Sequence, residues 1–430
     1  VENVELKDIS LPEEMKRVLA KAAEAEREKL AVITKASGEV EAANNLAEAA
    51  NIMGSTPGAL HLRTLSTIND VSSNQSNTII FAVPIEVLEA FKHGSGQEIV
   101  NKINSPIATS LMAMSSFPYN HSLFTGMIGM HGSKASNILA SNCDLLINLG
   151  ARFSDRVISN NNQIKNAKII HIDVDPAEIN KNVKVDAFVV GDLKIVLQRL
   201  IPLLKEKKNE EWLEKMRELK ALNVEDTSET GELTPEYLFR KLSQLDDGSF
   251  VLTTEVGQHQ MWASQFFKFK TPRTFISSGG LGTMGYGLGA SIGAQMALKD
   301  KQVINIAGDG SFGMNCNELA TAAKNKLPII VIIVNNNSLG MVRQWQNFFY
   351  EGRYSSTTLN STTDFVKVAE AFGGKGYRVF EKEELEPVLR KALEYKGPVV
   401  IDYVIHNDKK VFPMVAPGAP INEIIDEEDV

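Results

Sequence analysis

The residues best placed to do chemistry are Asp309, set between Gly308 and Gly310, and the later pair Asn335–Asn336. The run Val303–Ala307 (VINIA) before the first group predicts a strand. Ser311–Lys326 has the mixed polarity of a helix that Leu327–Pro328 ends. Ile329–Val334 (IIVIIV) is a continuous β-branched run, the signature of a buried parallel strand. An Asp thus ends one strand and an Asn ends the next, at the carboxyl edge where open α/β sheets bind ligands. Carboxylate and amide oxygens are hard donors. They suit Mg²⁺, which takes a few protein oxygens and fills its other positions with phosphate. The flanking glycines let backbone approach a diphosphate closely.

This spacing resembles the thiamine-diphosphate motif, GDG followed by NN. Around it lie Gly257–Gln265 (GQHQMWASQ), Ser277–Gly287 (SSGGLGTMGYG) and Leu339–Tyr350 (LGMVRQWQNFFY). Upstream lie Phe124–Gly132 (FTGMIGMHG), Gly150–Val157 (GARFSDRV) and His171–Asn182 (HIDVDPAEINKN). In this order they resemble the catalytic subunit of acetolactate synthase (acetohydroxyacid synthase) in its FAD-containing biosynthetic form. That family couples pyruvate with pyruvate or 2-oxobutyrate on the way to isoleucine and valine.

The resemblance implies site residues. Asp309 and Asn336 would hold Mg²⁺, with Ser338 giving a backbone carbonyl. Gly308, Gly310, Ser311, Gln258, His259, Leu339 and Met341 would contact thiamine diphosphate. Met284 would wedge under the cofactor and hold it bent; alone, it reads equally as a core methionine. Met341, Val342 and Trp345 would line the substrate entrance. Arg156 would meet a 2-oxoacid carboxylate or the flavin, a planar anion suited to a guanidinium fork. Outside its motif it would read as a surface arginine. Flavin contacts would come from Ser110, Leu111, Met112, Gly129, Met130, His131, Arg152, Asp155, Arg156, Asp173, Val174, Glu178, Gly191 and Asp192. Asp173 and Asp192 each follow an apolar run, which puts carboxylates at strand ends. Each alone would be an ordinary turn or cap residue. No G-x-G-x-x-G occurs between Gln97 and Leu203, so the flavin rests on the resemblance, and its binding is expected to be impaired because the family's glycine-rich strand before Gln97 is read as lost.

The N-terminal stretch differs. Pro12–Lys29 mixes charges of both signs with alanines, and Gly54–Gly58 (GSTPG) breaks the expected long helix. A short helix, Ala59–Val71, and a strand, Thr78–Val83, would follow. Val1–Phe91 resembles the C-terminal region of stomatin/slipin-like proteins, through LPEEMKRVLAKAAEAEREK, STPGALHLRTL and NTIIFAVPIEVLEAF. In acetolactate synthases this place holds the pyrimidine-binding domain, whose glutamate activates the cofactor. Glu24, Glu39 and Glu41 read as solvated helix positions rather than that acid. The chain alone is therefore expected to be weak or inactive. The alternatives are a stomatin-like scaffold or interaction protein, or a chimeric gene model joined near Lys92–Gly96.

The chain has 430 residues, net charge −8 and two cysteines, Cys143 and Cys316. That balance gives no electrostatic support for nucleic-acid binding. Two lone thiols point to a reducing, cytoplasmic setting, and no run reaches membrane-spanning length. The resemblance adds a homo-oligomer and a regulatory small subunit as expected partners.

The expected fold is α/β, with two doubly wound parallel-sheet domains after a helical arm. The parts are 1–91, a middle flavin-type domain at 97–203, a linker at 204–234 read as a solvated helix plus link, a thiamine-diphosphate domain at 235–407 and a tail at 408–430. Strands in the middle domain are expected at Ile107–Leu111, Leu145–Leu149, Ile169–Ile172 and Phe188–Val190.

Overall fold

The computed structural model describes residues 78–82, 95–158, 164, 166–222, 232–359 and 362–429. The chain divides into two compact units, Val1–Asp70 and Val71–Val430. The helices expected before residue 72 lie outside the described residues.

The second unit holds two parallel six-stranded sheets and a small antiparallel pair. The first sheet contains β1 (Thr78–Ala82), β2 (Ile107–Thr109), β3 (Phe124–Met127), β4 (Leu145–Leu149), β5 (Lys168–Asp173) and β6 (Ala187–Val190). Its order is β3-β2-β1-β4-β5-β6, the doubly wound order of dinucleotide-binding folds. Every residue of β4 (LLINL) is buried, so this run, apolar but for Asn148, reads as a central strand.

One finding departs from the sequence expectation. The strand Thr78–Ala82, assigned with the N-terminal segment, lies at the centre of this sheet. Ile80 pairs with Ile107 on one side and with Ile147 on the other. Local sequence could not reveal this, because a strand's neighbours are chosen by long-range pairing.

The stretch expected to be a solvated helix and link also differs. Helix α4 (Glu210–Ala221) buries Trp212, Leu213 and Met216. It docks on the first domain, where Lys220 Nζ donates to the carbonyls of Ser122 and Phe124 at 3.1 and 2.7 Å. Its apolar residues are few but fall on one face at helical spacing, so a charge-rich helix still has a buried stripe.

The second sheet contains β7 (Phe250–Thr254), β8 (Phe275–Ile276), β9 (Gln302–Gly308), β10 (Ile330–Asn335), β11 (Lys375–Val379) and β12 (Val399–Val404). Its order is β11-β12-β10-β9-β7-β8. Ile330–Val334 of β10 are all buried, each side chain contributing about 1.5–3 kcal/mol by leaving water. Helix α5 (Pro235–Leu245) opens this domain, with Thr234 capping the Tyr237 N–H at 3.2 Å and Pro235 in the first turn. The expected helix after Asp309 is broken into α8 (Asp309–Asn315), a tight turn at Cys316–Glu318 and α9 (Leu319–Lys324).

Residues 408–430 include β13 (Met414–Val415), paired antiparallel with β14 (Ile424–Ile425). The Val415 N–H donates to the Met130 carbonyl at 2.8 Å, tying this tail to the first domain.

Candidate functional site

The topological switch of the second sheet lies between β7 and β9, whose chain connections leave in opposite directions. Ligands bind outside the strand ends at such a point. Gln258 and His259 open helix α6 (Gln258–Phe266) just after β7, and Asp309 opens α8 just after β9. Val334 pairs with Gly308 in the ladder, so the turn after β10 falls beside Asp309. The structure thus brings Gln258, His259, Gly308, Asp309, Gly310, Ser311, Asn336 and Ser338 to one edge.

Close packing at the glycines explains their type. A Cβ on Gly308 would lie 2.8 Å from His259 Nδ1, and one on Gly340 would lie 1.9 Å from Gln258 Oε1. A Cβ on Gly310 would meet Leu339 Cδ2 at 2.7 Å. Any side chain there would displace the donors around it.

Asn336 is fixed on both ends of its amide. Its Nδ2 donates to Gln258 Oε1 at 3.0 Å, and its Oδ1 accepts the Ser338 N–H at 3.2 Å. Asp309 is 4% exposed, and burial raises its carboxyl to about 6, with Asp402's charge adding to the rise. Asp309 Oδ2, Ser338 Oγ and His259 Nε2 are buried with no protein partner. Buried polar atoms without partners are costly and ask for an explanation. A hard cation at Asp309 and a diphosphate beside His259 supply one, so these residues fit both groups. Among the described residues no cluster of three or more His, Cys, Asp or Glu could hold a metal.

Two residues that the sequence reading passed over complete this corner. Glu255, fully buried at the end of β7, accepts the Leu288 N–H at 2.9 Å and the Ser311 hydroxyl at 3.2 Å. Burial raises its pKa, opposed by the N–H groups it accepts from. Ser311 Oγ also accepts the Gly285 N–H at 3.3 Å, and Asn315 Nδ2 donates to the Gly285 carbonyl at 2.6 Å. Met284 thus precedes a glycine held at its N–H and its carbonyl by two side chains of α8. The available signal was a carboxylate directly ending an apolar strand. The other residue is Gln344, 2% exposed on helix α10 (Gly340–Phe349). It accepts from Gln258 Nε2 at 2.9 Å and from the Val411 N–H at 2.8 Å, and donates to the Val411 carbonyl at 3.0 Å. It had been hidden inside a motif valued for its neighbours.

On the same helix, Met341 packs partly buried against the core, while Val342 is exposed. The Arg156 guanidinium sits 5.8 Å from the Trp345 ring centroid. Trp345, expected at the substrate entrance, and Arg156, expected to meet a 2-oxoacid carboxylate or the flavin, therefore lie side by side though they come from different domains.

The residues expected around a flavin gather at the carboxyl edge of the first sheet. Ser110–Met112 follow β2, Gly129–His131 follow β3, and Arg152, Asp155 and Arg156 follow β4. Asp173 and Val174 end β5, Glu178 lies just beyond, and Gly191 and Asp192 follow β6. Their fit to a dinucleotide is partial. Ser110 Oγ, His131 Nδ1 and Glu178 Oε2 are buried without a protein partner. Asp173 Oδ2 lies 3.4 Å from His171 Nε2, and its Oδ1 accepts the Asp175 N–H at 2.9 Å. Asp192 caps helix α3 (Leu193–Leu200) through the Ile195 N–H at 3.0 Å. Glu178 pairs with Lys181 at 2.8 Å. Met112 sits where a Cβ on Gly279 would be, 2.2 Å from its Sδ. Val83-Pro84-Ile85-Glu86 follow β1 in sequence, where dinucleotide folds carry glycines.

A family model for the thiamine pyrophosphate enzyme C-terminal TPP-binding domain matches residues 255–403, and one for the thiamine pyrophosphate enzyme central domain matches residues 84–200. These are two domains of a thiamine-pyrophosphate enzyme. The match to the central domain begins inside the stretch that resembled stomatin, and the comparisons lend that resemblance no support. The chain is 42% identical over 346 residues to the probable acetolactate synthase large subunit of Methanocaldococcus jannaschii, covering 77% of this chain and 58% of that protein. Against the acetolactate synthase large subunit of Corynebacterium glutamicum it is 42% identical over 351 residues, covering 79% and 56%. Against that of Porphyra purpurea it is 42% identical over 337 residues, covering 76% and 56%. The chain therefore spans a little over half the length of these curated relatives. Among the described residues no helix is long and apolar enough to cross a membrane.

Proposed function

We propose that these domains serve acetolactate synthesis, joining pyruvate to pyruvate or 2-oxobutyrate with loss of CO₂ on the route to branched-chain amino acids. The observation that carries this reading is the buried corner of Asp309, Asn336 and Ser338, inside a match to a thiamine-pyrophosphate-binding domain. Thiamine diphosphate, when bound, supplies a stabilised carbanion, the chemistry a 2-oxoacid needs to lose CO₂. Asp309, Asn336 and the Ser338 carbonyl would hold Mg²⁺. Gln258, His259, Gly308, Gly310, Ser311, Leu339 and Met341 would receive the diphosphate. Met284 would prop the cofactor. Arg156 would orient the carboxylate of the oxoacid, with Trp345 as the apolar wall beside it.

The wider assembly belongs to the same reading: a homo-oligomer, with a regulatory small subunit and an FAD. The flavin is held weakly, because Val83-Pro84-Ile85-Glu86 stand after β1 where dinucleotide folds carry glycines. In the relatives' family a glutamate from a pyrimidine-binding domain completes the cofactor site, so the 430-residue chain by itself turns over slowly.

The test measures acetolactate from pyruvate with Mg²⁺ and thiamine diphosphate, for the chain alone and with a relative's pyrimidine-binding domain added in trans. Product should be low alone and rise at least about tenfold on addition, from the general acid–base share of catalysis. Asp309→Ala should remove that rise. A wild-type chain that binds the cofactor but makes no acetolactate in either mixture sinks the proposal.

A further inference from the structure

Behind the metal corner lies a charge pair, buried at its carboxylate and one-third exposed (33%) at its arginine, that none of the chemistry above uses. Asp402, in the middle of β12, is 2% exposed. Its ladder partners are Arg378 of β11 and Ile333 of β10. Arg378 Nε donates to Asp402 Oδ2 at 2.8 Å, and Asn335 Nδ2 donates to Asp402 Oδ1 at 2.9 Å. Arg378 also reaches Asp364 Oδ1 at 2.8 Å, and Asp364 caps the helix Phe365–Ala371. The guanidinium is thereby held between two carboxylates.

A carboxylate only accepts hydrogen bonds, so Asp402 dictates which way the Asn335 amide faces. With Nδ2 spent on Asp402, Asn335 Oδ1 must face the chain ahead, where it accepts the Asn337 N–H at 3.0 Å. Asn337 has φ 54°, a left-handed conformation that Asn tolerates when a local hydrogen bond supports it. The Asn337 N–H also pulls the pKa of the nearby Asp309 carboxyl down, against its burial, and the Asn337 carbonyl accepts the Leu359 N–H at 3.1 Å. This turn sets where Asn336 and Ser338 stand relative to Asp309.

We propose that Asp402, neutralised by Arg378, is a positioning residue for the metal corner, acting through Asn335 to fix the Asn335–Ser338 turn. The proposal rests on the Mg²⁺–diphosphate reading of that corner. The alternative is an ion pair that only stabilises the sheet. Buried pairs can be replaced by apolar side chains with little loss of stability, which allows the two roles to be separated.

The experiment titrates Mg²⁺ into the full chain at fixed thiamine diphosphate and follows cofactor binding by calorimetry, with thermal melts alongside. The variants are Asp402→Leu combined with Arg378→Met, and Asp402→Asn. Loss of outer support for a metal ligand typically weakens the site about tenfold to a hundredfold. The double variant should raise the Mg²⁺ needed for half-maximal binding by that factor while still melting cooperatively. Asp402→Asn has one accepting oxygen for two donors, so its shift should be smaller and of the same sign. If the double variant fails to fold, Asp402→Asn decides alone. Mg²⁺ dependence within twofold of wild type in a folded variant overturns the positioning role. A wild type with no Mg²⁺-dependent cofactor binding overturns the underlying reading as well.

Discussion

The two sheets share a strand number and a parallel sense, yet they gather their polar edges differently. In the second sheet the corner is assembled from turns after β7, β9 and β10, which are adjacent in the ladder. Its amides hold one another, in the links from Asn336 to Gln258 and from Gln258 to Gln344, while Asp309 Oδ2, Ser338 Oγ and His259 Nε2 are left without a protein partner. In the first sheet the polar edge is spread over the ends of β2 to β6, and its carboxylates turn back on their own backbone. Asp192 caps a helix and Asp173 closes a turn. The difference suggests that the second sheet is organised around a ligand, and the first around its own integrity.

The sharpest way to break that contrast is to break the first sheet. Ile80→Pro removes an N–H from the central strand, between β2 and β4. A proline in a central strand leaves a ladder acceptor unmet and adds a clash, costing roughly 3 kcal/mol or more. Hydrogen exchange should then show lost protection in β2 and β4, with β9 and β10 still protected. Loss of protection in all four would mean that the two sheets unfold as one, and the contrast would be one of detail.

This strand also marks what sequence could and could not convey. The corner was legible because its residues sit within short spacing of β-branched runs, where strand period and glycine chemistry agree. Asp309, Asn336 and the strands before them follow from that alone. The role of Thr78–Ala82 was not legible. A threonine and four apolar residues look alike wherever they pair, and their surroundings resembled another family. Trp212 shows the same limit on a helix: the charges around it are plain in the sequence, and the surface it meets is not. Glu255 and Gln344 were missed because each acts on backbone groups far away in sequence.

A smaller effect tests the second region. Gln344 satisfies both the N–H and the carbonyl of Val411 while completing Gln258. Gln344→Leu keeps the volume and leaves those buried groups unmet, at a cost of about 1–3 kcal/mol. Limited proteolysis should then cut earlier after Asn407, with the β9–β10 core still resistant. An unchanged cleavage pattern would show that the tail is held by its other contacts, such as Val415 to Met130.

The smallest predicted effect is one in which the two regions should behave alike. His131 follows the first sheet's β3 and His259 follows the second sheet's β7. Burial lowers His131 from 6.5 to about 4 and His259 from 6.5 to about 3. A histidine held neutral in the fold takes up its proton more readily when unfolded. Each therefore adds stability above pH 6.5, and that stability drains as pH falls from 6.5 toward the folded value. Between pH 7 and pH 6 both folded values are too far away to matter, so each histidine should cost about 0.7 kcal/mol. Urea unfolding at the two pH values, without cofactor, should show His131→Asn and His259→Asn removing equal shares of the wild-type loss. A larger share for His259 would mean that its surroundings change as the pH falls, and that the second sheet's edge is the softer of the two.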